Sequence, residues 1–221
     1  MKTLFPNAKE KGLTLIELLV VIAVVAVLAA MLLPALSGGG STRSVRCLVN
    51  QKQIAMGFIM WKTDHNDQFP WKVAATNAGT LEAANRGYAA PSFQCLSNYS
   101  FIPNVCICPT DTNRIQAANF AEFRNLNTSY FVSIDAGTNA ANNILTGDRN
   151  LARNDKPINP GMFVYSEGAN INWTRELHNT NPKSTMGVLS FGDGHAEMVK
   201  DMNLNSVFLR ENLATNRLDV P

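Results

Sequence analysis

A run of 21 residues, from Leu13 to Leu33, contains a single charged side chain, that of Glu17. As an α-helix rising about 1.5 Å per residue, this run spans roughly the 30 Å hydrocarbon core of a bilayer. An ordinary secretory signal has an apolar stretch of about 7 to 15 residues, so this run is too long for one. The sequence therefore predicts a membrane-anchoring N-terminal helix that is followed by a separate domain.

Glu17 lies just inside the head of this apolar run. An ionised carboxylate in lipid is costly, although the cost falls toward the end of the helix. Two interpretations are open from the residues alone. The side chain reaches the interface and stays solvated, or it pairs with a cation inside the membrane.

The residues around Glu17 carry a recognisable pattern. Lys9-Glu10-Lys11-Gly12 comes immediately before Leu13-Thr14-Leu15-Ile16-Glu17. This pattern resembles the cleavage and methylation signature of type IV prepilins and type II secretion pseudopilins. The resemblance implies that a prepilin peptidase cuts after Gly12 and that the new amine of Leu13, which replaces the usual phenylalanine, is methylated. It also implies that Glu17 pairs with the amine of a neighbouring subunit during assembly, since the ammonium lies one helical turn away.

Pro34 and the glycines that follow divide the N-terminal segment. Proline removes a helical hydrogen bond, so we expect the first helix to kink or end at Pro34. Ser37-Gly38-Gly39-Gly40-Ser41 then predicts a hinge, because each glycine costs a helix about 1 kcal/mol relative to alanine. The predicted organisation is a leader at 1–12, a transmembrane and assembly helix at 13–36, a glycine hinge at 37–41 and a periplasmic globular domain at 42–221.

Helical periodicity resumes at Thr42, and we expect this second half of the helix to pack on the globular domain. The apolar stripe predicted to face the core comprises Val45, Leu48, Val49, Ala55, Met56, Ile59 and Met60. The stretch from Cys47 to Ile54, with Trp61, Asp64 and Phe69-Pro70, resembles the segment that follows the membrane helix in one bacterial pilin-like family.

The rest of the chain shows short β-type runs between long loops. Predicted strands are Ser129–Ile134, Met162–Ser166, Met186–Phe191 and His195–Val199. The last two flank Gly192-Asp193-Gly194, which predicts a hairpin. Residues 135–160 are interpreted as surface loop, and Val207, Phe208, Leu209 and Leu213 predict a short C-terminal helix. The predicted fold class is α+β, with the long N-terminal helix, kinked or broken near residues 34–41, packed on a small antiparallel sheet.

The charge distribution argues against a nucleic-acid partner. The formal net charge is +2, and the three lysines and one glutamate of residues 1–12 account for all of it. The remaining chain is neutral and lacks the basic surface that neutralises phosphates.

Four cysteines follow the apolar run, and they would face the oxidising side of a membrane. Cys47, Cys95, Cys106 and Cys108 allow three full disulfide pairings. We expect a bridge from Cys47 to Cys106 or Cys108. A zinc site is the alternative, although the spacings lack the paired two-residue gaps of a zinc ribbon or finger.

Two further elements resemble marks of the same pilin-like family. Cys108-Pro109-Thr110-Asp111 is similar to a Cys-Pro-Ser-Asp element, and Phe191-Gly192-Asp193-Gly194-His195 is similar to the end of an H-X9-DG element. Fourteen residues, rather than nine, lie between His178 and Asp193. His178, Asp193 and His195 also include catalytic or metal-binding residue types, but aspartate between glycines is typical of a hairpin turn. With no hydrolase elbow, zinc-protease helix or phosphate loop, we predict no catalytic residue.

Calcium is the one ligand that the loops suggest. Asp64, Asn66 and Asp67, or Asp193 with loop carbonyls, offer oxygen donors but complete no EF-hand loop. We therefore predict no metal ligand and no cofactor, and calcium stays open.

The predicted function is structural rather than enzymatic: a prepilin or pseudopilin in a type IV pilus-like or type II secretion filament. Its expected partners are the prepilin peptidase, other copies of the chain, other pilin-like subunits and the inner membrane. The expected location is the inner membrane, with a periplasmic C-terminal domain, and then the filament. The alternatives are a single-pass anchored periplasmic binding protein or enzyme, and a secreted protein cut near residues 35–37.

Overall fold

The computed structural model describes residues 14–36, 39–99, 101–137, 141–178, 185–211, 213 and 215–221. Side chains are not described for residues 30–41. Gly12 and Leu13 lie outside the described residues, as do Ser37 and Gly38 of the predicted hinge. The chain divides into two compact units, residues 1–39 and 40–221.

The first unit contains helix α1, Leu15–Leu36. Helical backbone continues past Pro34 to Leu36, so the helix does not end at the proline. The apolar side chains from Leu15 to Leu28 are exposed on every face of the helix. In the part of the chain that the structure describes, no helix combines the length and the apolar character that crossing a membrane requires.

Helix α2, Gly39–Asp64, begins the second unit. It includes Gly39, Gly40 and Ser41, so the last three residues of the predicted hinge have helical backbone. The buried face of α2 consists of Ser44, Cys47, Gln51, Ile54, Ala55, Gly57, Phe58 and Trp61. The predicted apolar stripe is partly wrong, because Val45, Val49, Met56 and Met60 are each nearly half exposed. Two polar residues, Ser44 and Gln51, lie on the buried face among larger apolar side chains.

A six-stranded antiparallel sheet forms the centre of the second unit, in the order β5-β9-β1-β2-β7-β8. Its strands are β1 Tyr130–Ser133, β2 Ile144–Asp148, β5 Gly161–Ser166, β7 Met186–Phe191, β8 Ala196–Lys200 and β9 Thr215–Val220. A three-stranded sheet, in the order β4-β3-β6, is made of β3 Leu151–Arg153, β4 Lys156–Pro157 and β6 Ile171–Trp173. Among the described residues, the remaining α-helices are α3 Leu81–Ala84, α4 Ala90–Gln94 and α5 Asp201–Arg210, and short 3₁₀ helices lie in the loops.

The central strands β1, β2 and β7 of the six-stranded sheet are buried on both faces, whereas the edge strands β5 and β8 are partly exposed. Alternate side chains of β1 point to opposite sides, as the pleat requires. Tyr130 and Val132 join the apolar core that contains α2 residues Ile54 and Phe58. Phe131 joins a second core, to which α5 contributes Leu204, Val207 and Phe208. The α+β class, with a helix packed on an antiparallel sheet, is confirmed.

The strand predictions were right for β1, β5, β7 and β8, and the β7–β8 pair is the predicted hairpin. The loop interpretation of residues 135–160 was wrong, because β2 lies in the middle of the sheet with all five residues buried. Its polar residues are satisfied there: Thr146 bonds to Gln51 and to Ser190. The final strand, β9, was also missed.

Candidate functional site

Four polar side chains that can bind metals meet in the core between α2 and the sheet. Cys47 comes from α2, and Asp148 is the last residue of β2. Cys108 follows a 3₁₀ turn at Pro103–Cys106, and His178 lies in the segment after β6. All four are buried. We call this group the buried cluster.

The functional atoms of the buried cluster are mutually close. His178 Nε2 lies 3.0 Å from Asp148 Oδ2 and 3.4 Å from Cys108 Sγ. The Cys47 thiol donates to Asp148 Oδ1 at 3.3 Å. All four functional atoms lie within 4.8 Å of one another. The cluster therefore presents two sulfurs, one nitrogen and one oxygen to a common point.

Each member of the cluster also has a partner outside it. The Tyr130 hydroxyl lies 3.3 Å from Cys47 Sγ, and the Thr110 hydroxyl lies 3.0 Å from Cys108 Sγ. Val188 N–H donates to Asp148 Oδ2 at 2.7 Å. Ser44 Oγ lies 3.0 Å from His178 Nδ1. These contacts orient all four side chains.

The contacts also separate charge within the cluster. The hydrogen bond from Cys47, helped by His178, outweighs burial and lowers the pKa of Cys108 to about 6. Burial opposes an imidazolium, but bonds to Asp148 and Cys108 raise the pKa of His178 to about 10. Burial raises the pKa of Cys47 well above its ordinary value. At neutral pH we therefore expect a Cys108 thiolate and a His178 imidazolium beside a neutral Cys47 thiol.

A nucleophilic triad does not fit this geometry. In such a triad one histidine nitrogen faces the nucleophile and the other faces the carboxylate. Here Nε2 of His178 faces both Cys108 and Asp148, while Nδ1 faces Ser44. Since burial also keeps substrates away, the arrangement suits metal binding or structural support.

The second candidate site is the head of α1. Thr14 comes just before the first helical residue, and its carbonyl accepts from Leu18 N–H at 3.2 Å. Glu17 Oε2 accepts from Thr14 N–H and from the Thr14 hydroxyl, both at 2.8 Å. Thr14 Oγ1 in turn accepts from Glu17 N–H at 3.3 Å. The two side chains form a reciprocal capping box.

Comparison with protein families bears on this second site. Residues 7–33 match the family model of the prokaryotic N-terminal methylation motif. The chain carries the type IV pilin and pseudopilin signature. Comparison with curated proteins and with solved structures gave no significant match.

The methylation motif includes the sequence-predicted positions Gly12, Leu13 and Glu17. The resemblance to pilins and pseudopilins is thereby confirmed for residues 7–33. Of these three residues the structure describes Glu17 alone, whose carboxylate bonds to Thr14. The capping box was missed, although the spacing Thr14-x-x-Glu17 is its known sequence signal.

Beyond the methylation motif, the predicted cysteines separate into different environments. Cys47 and Cys108 meet in the buried cluster. Cys106 is buried outside that group, and Cys95 Sγ lies 3.5 Å from the Ala78 carbonyl. All four are free thiols in the structure, and the disulfide between Cys47 and Cys106 or Cys108 stays a prediction.

The histidines and acids suspected from the sequence do not form one set. His195 Nδ1 lies 2.5 Å from Asp193 Oδ1 in the half-exposed β7–β8 turn, where Gly194 has a positive φ of 89°. His178 belongs to the buried cluster instead, with Asp148, which sequence reasoning missed. No sequence pattern marked Asp148 as a site residue, because it lies in residues 135–160, which were interpreted as surface loop.

The residues suggested for calcium have other partners. Asp64 Oδ2 accepts from the Tyr99 hydroxyl at 2.9 Å, and Asp67 Oδ1 lies 3.0 Å from Lys62 Nζ. Asn66 and Asp67 have positive φ, which is typical of a turn after a helix. Among the described residues, the buried cluster is the one group in which three or more histidine, cysteine, aspartate or glutamate side chains lie close enough to hold a metal ion.

Proposed function

We propose that this chain is a pilin-type structural subunit made as a precursor. A prepilin peptidase cuts it after Gly12, and the new amine of Leu13 is methylated. The precursor is anchored in the inner membrane with its globular domain in the periplasm. The mature chain joins copies of itself and other pilin-like subunits in a type IV pilus-like or type II secretion filament. The methylation motif at residues 7–33 carries this proposal.

The surface of α1 supports assembly through this helix. From Leu15 to Leu28 its apolar side chains are more than half exposed on every side. A helix that is apolar all round is stable in lipid or among other helices rather than in water. We infer that the membrane holds α1 before assembly and that neighbouring helices hold it afterwards.

Glu17 has two roles that the capping box makes separable. As a charge, it would pair with the Leu13 ammonium of a neighbouring subunit and fix the stagger between helices. As a cap, it satisfies Thr14 N–H within its own chain. The first role needs a carboxylate, whereas the second needs only an acceptor oxygen.

The mature N-terminus tests the proposal directly. Mass spectrometry of the native protein should show a chain that begins at a methylated Leu13. Retention of the first twelve residues would contradict processing. A cut near residues 35–37, which removes the whole apolar run, would show a secreted protein instead.

A pair of substitutions separates the roles of Glu17. Glu17→Gln keeps an acceptor for Thr14 but removes the charge, so we expect normal cleavage and about tenfold or greater loss of filament incorporation. Thr14→Val removes the cap hydroxyl and keeps the charge, so incorporation should be largely retained. Sheared filaments are measured by immunoblot against total mature subunit. The opposite result would show that the cap, and not the charge pair, explains Glu17.

A further inference from the structure

We propose that Cys47, Cys108, Asp148 and His178 bind one zinc ion as a closed structural site. This inference rests on the geometry of the globular unit and does not depend on the filament proposal. A chain that proves not to be a pilin would leave it intact, and a metal-free cluster would leave the filament proposal intact.

The donor set is suited to zinc. Thiolates and imidazole favour zinc over the hard cations magnesium and calcium, which prefer oxygen ligands. Four protein ligands are the usual number in structural zinc sites, where no position stays open for water or substrate. The burial of all four side chains agrees with a closed site.

The distances bring the four side chains within reach of one tetrahedral ion. Zinc lies about 2.3 Å from sulfur and about 2.0 to 2.2 Å from nitrogen or oxygen, so tetrahedral ligands are about 3.3 to 3.8 Å apart. The observed separations are 3.0 Å from His178 Nε2 to Asp148 Oδ2, 3.3 Å from Cys47 Sγ to Asp148 Oδ1 and 3.4 Å from Cys108 Sγ to His178 Nε2. All four ligand atoms lie within 4.8 Å of one another, so side-chain shifts of up to about 1 Å would place them around one ion.

The outer contacts match those of a metal site. Ligating histidines usually bond to a protein acceptor through the nitrogen that does not face the metal. His178 Nδ1 contacts Ser44 Oγ, and Nε2 faces the cluster. Hydroxyls of Tyr130 and Thr110 lie against the two sulfurs. With the amide of Val188 on Asp148, every ligand has an orienting partner.

A bound ion would connect parts of the chain that are distant in sequence. It would join α2 through Cys47 to the end of β2 through Asp148. It would also fix the segments after residues 106 and 173, which carry Cys108 and His178. Since the unfolded chain has no such site, binding would stabilise the folded state.

Metal content is the first test. Full-length chain is purified in detergent without chelator, and zinc is counted by inductively coupled plasma mass spectrometry. We expect one zinc per chain, and about tenfold less in Cys108→Ala and His178→Ala. Cys106→Ala is the matched control, because Cys106 is equally buried and two residues from Cys108 but outside the cluster. It should keep its zinc.

Cobalt substitution covers the case in which a variant fails to fold. Cobalt added to chelator-treated wild-type chain should give the visible bands of tetrahedral coordination and the ultraviolet charge-transfer band of cobalt thiolates. Zinc added afterwards should remove both. Chelation should lower the melting temperature by about 10 °C or more, and zinc should restore it.

Three results would overturn the site. One is a Cys47–Cys108 disulfide in non-reducing peptide mapping of the native protein. Another is a pair of free thiols with substoichiometric zinc after incubation with excess zinc. The last is zinc that Cys108→Ala and Cys106→Ala retain equally.

Discussion

At the residue scale, Arg149 lies between two carboxylates that differ in burial. Its guanidinium donates to both oxygens of Asp111, at 2.8 and 2.9 Å, and Asp111 is almost fully buried. Its third nitrogen, Nη1, lies 2.8 Å from Oε2 of Glu176, whose side chain is 41% exposed. Burial opposes the charge on Asp111, but Arg149 outweighs it and lowers the pKa of that carboxyl.

Removing the two partners of Arg149 should have unequal effects. Asp111→Ala leaves a largely buried guanidinium without its bidentate partner, so we expect a loss of about 3 kcal/mol in unfolding free energy. Glu176→Ala removes a solvent-screened pair and should cost less than about 1 kcal/mol. Urea denaturation of both variants measures the difference. Equal losses would show that Asp111 is not the principal partner.

The pKa of Asp219 is raised, whereas that of Asp111 is lowered. Neither of its carboxylate oxygens has a hydrogen-bond partner within the described ranges. Burial, opposed by the nearby Arg217, raises its pKa from 3.8 to about 8. The folded chain therefore holds a proton that the unfolded chain releases between these values. This group makes the protein less stable as the pH rises from about 4 to 8.

Asp219→Asn should remove that pH dependence. At pH 8 we expect the variant to be more stable than the wild type by on the order of 2 kcal/mol. At pH 4 the two should be alike, because Asp219 is then neutral in the folded state. Melting temperatures across this range give the measurement, with the exposed Asp193→Asn as control. A constant offset at all pH values would contradict the assignment.

At the element scale, β2 depends on a glycine. A Cβ on Gly147 would lie 2.4 Å from Leu189 and 2.5 Å from Phe131, the residues beside it on β7 and β1. Gly147→Ala should therefore push these strands apart and cost about 1 to 3 kcal/mol. Gly137→Ala, whose Cβ would have its nearest neighbour at 3.5 Å, should cost less than 1 kcal/mol. Chemical denaturation compares them, and equal stability would contradict the packing argument.

The elements differ in how well the sequence predicts them. The β7–β8 hairpin is predictable, because alternating apolar residues flank a Gly-Asp-Gly turn. Strand β2 is not, since Gly147 and Asp148 are individually unfavourable in a strand and become stable only through partners elsewhere. The expected bridge from Cys47 to Cys106 or Cys108 brought two members of the buried cluster into consideration, but the sequence placed neither Asp148 nor His178 beside them. Its members come from separate elements, so no local spacing reveals them.

At the scale of the whole molecule, both apolar cores lie entirely in the second unit. Every residue of the two cores is at position 47 or later. We expect a chain of residues 40–221 to fold alone and to melt cooperatively within about 3 °C of the full-length protein. Thermal circular dichroism in the near ultraviolet tests this. Retained secondary structure without a cooperative near-ultraviolet transition would show that the first unit is required.

The polar groups on the buried face of α2 help to fix the rotation of this helix about its axis. Val45, Val49, Met56 and Met60 form a second apolar surface on the side of the helix opposite the buried face. Apolar burial favours the face that carries Ile54, Phe58 and Trp61, and hydrogen bonds add to that preference. In the observed rotation of α2, Gln51 bonds to Thr146 and the Cys47 thiol contacts the Tyr130 hydroxyl. If the helix turned its other face to the sheet, both contacts would be lost. Packing and hydrogen bonding thus favour the same orientation, and the other apolar side of α2 faces outward.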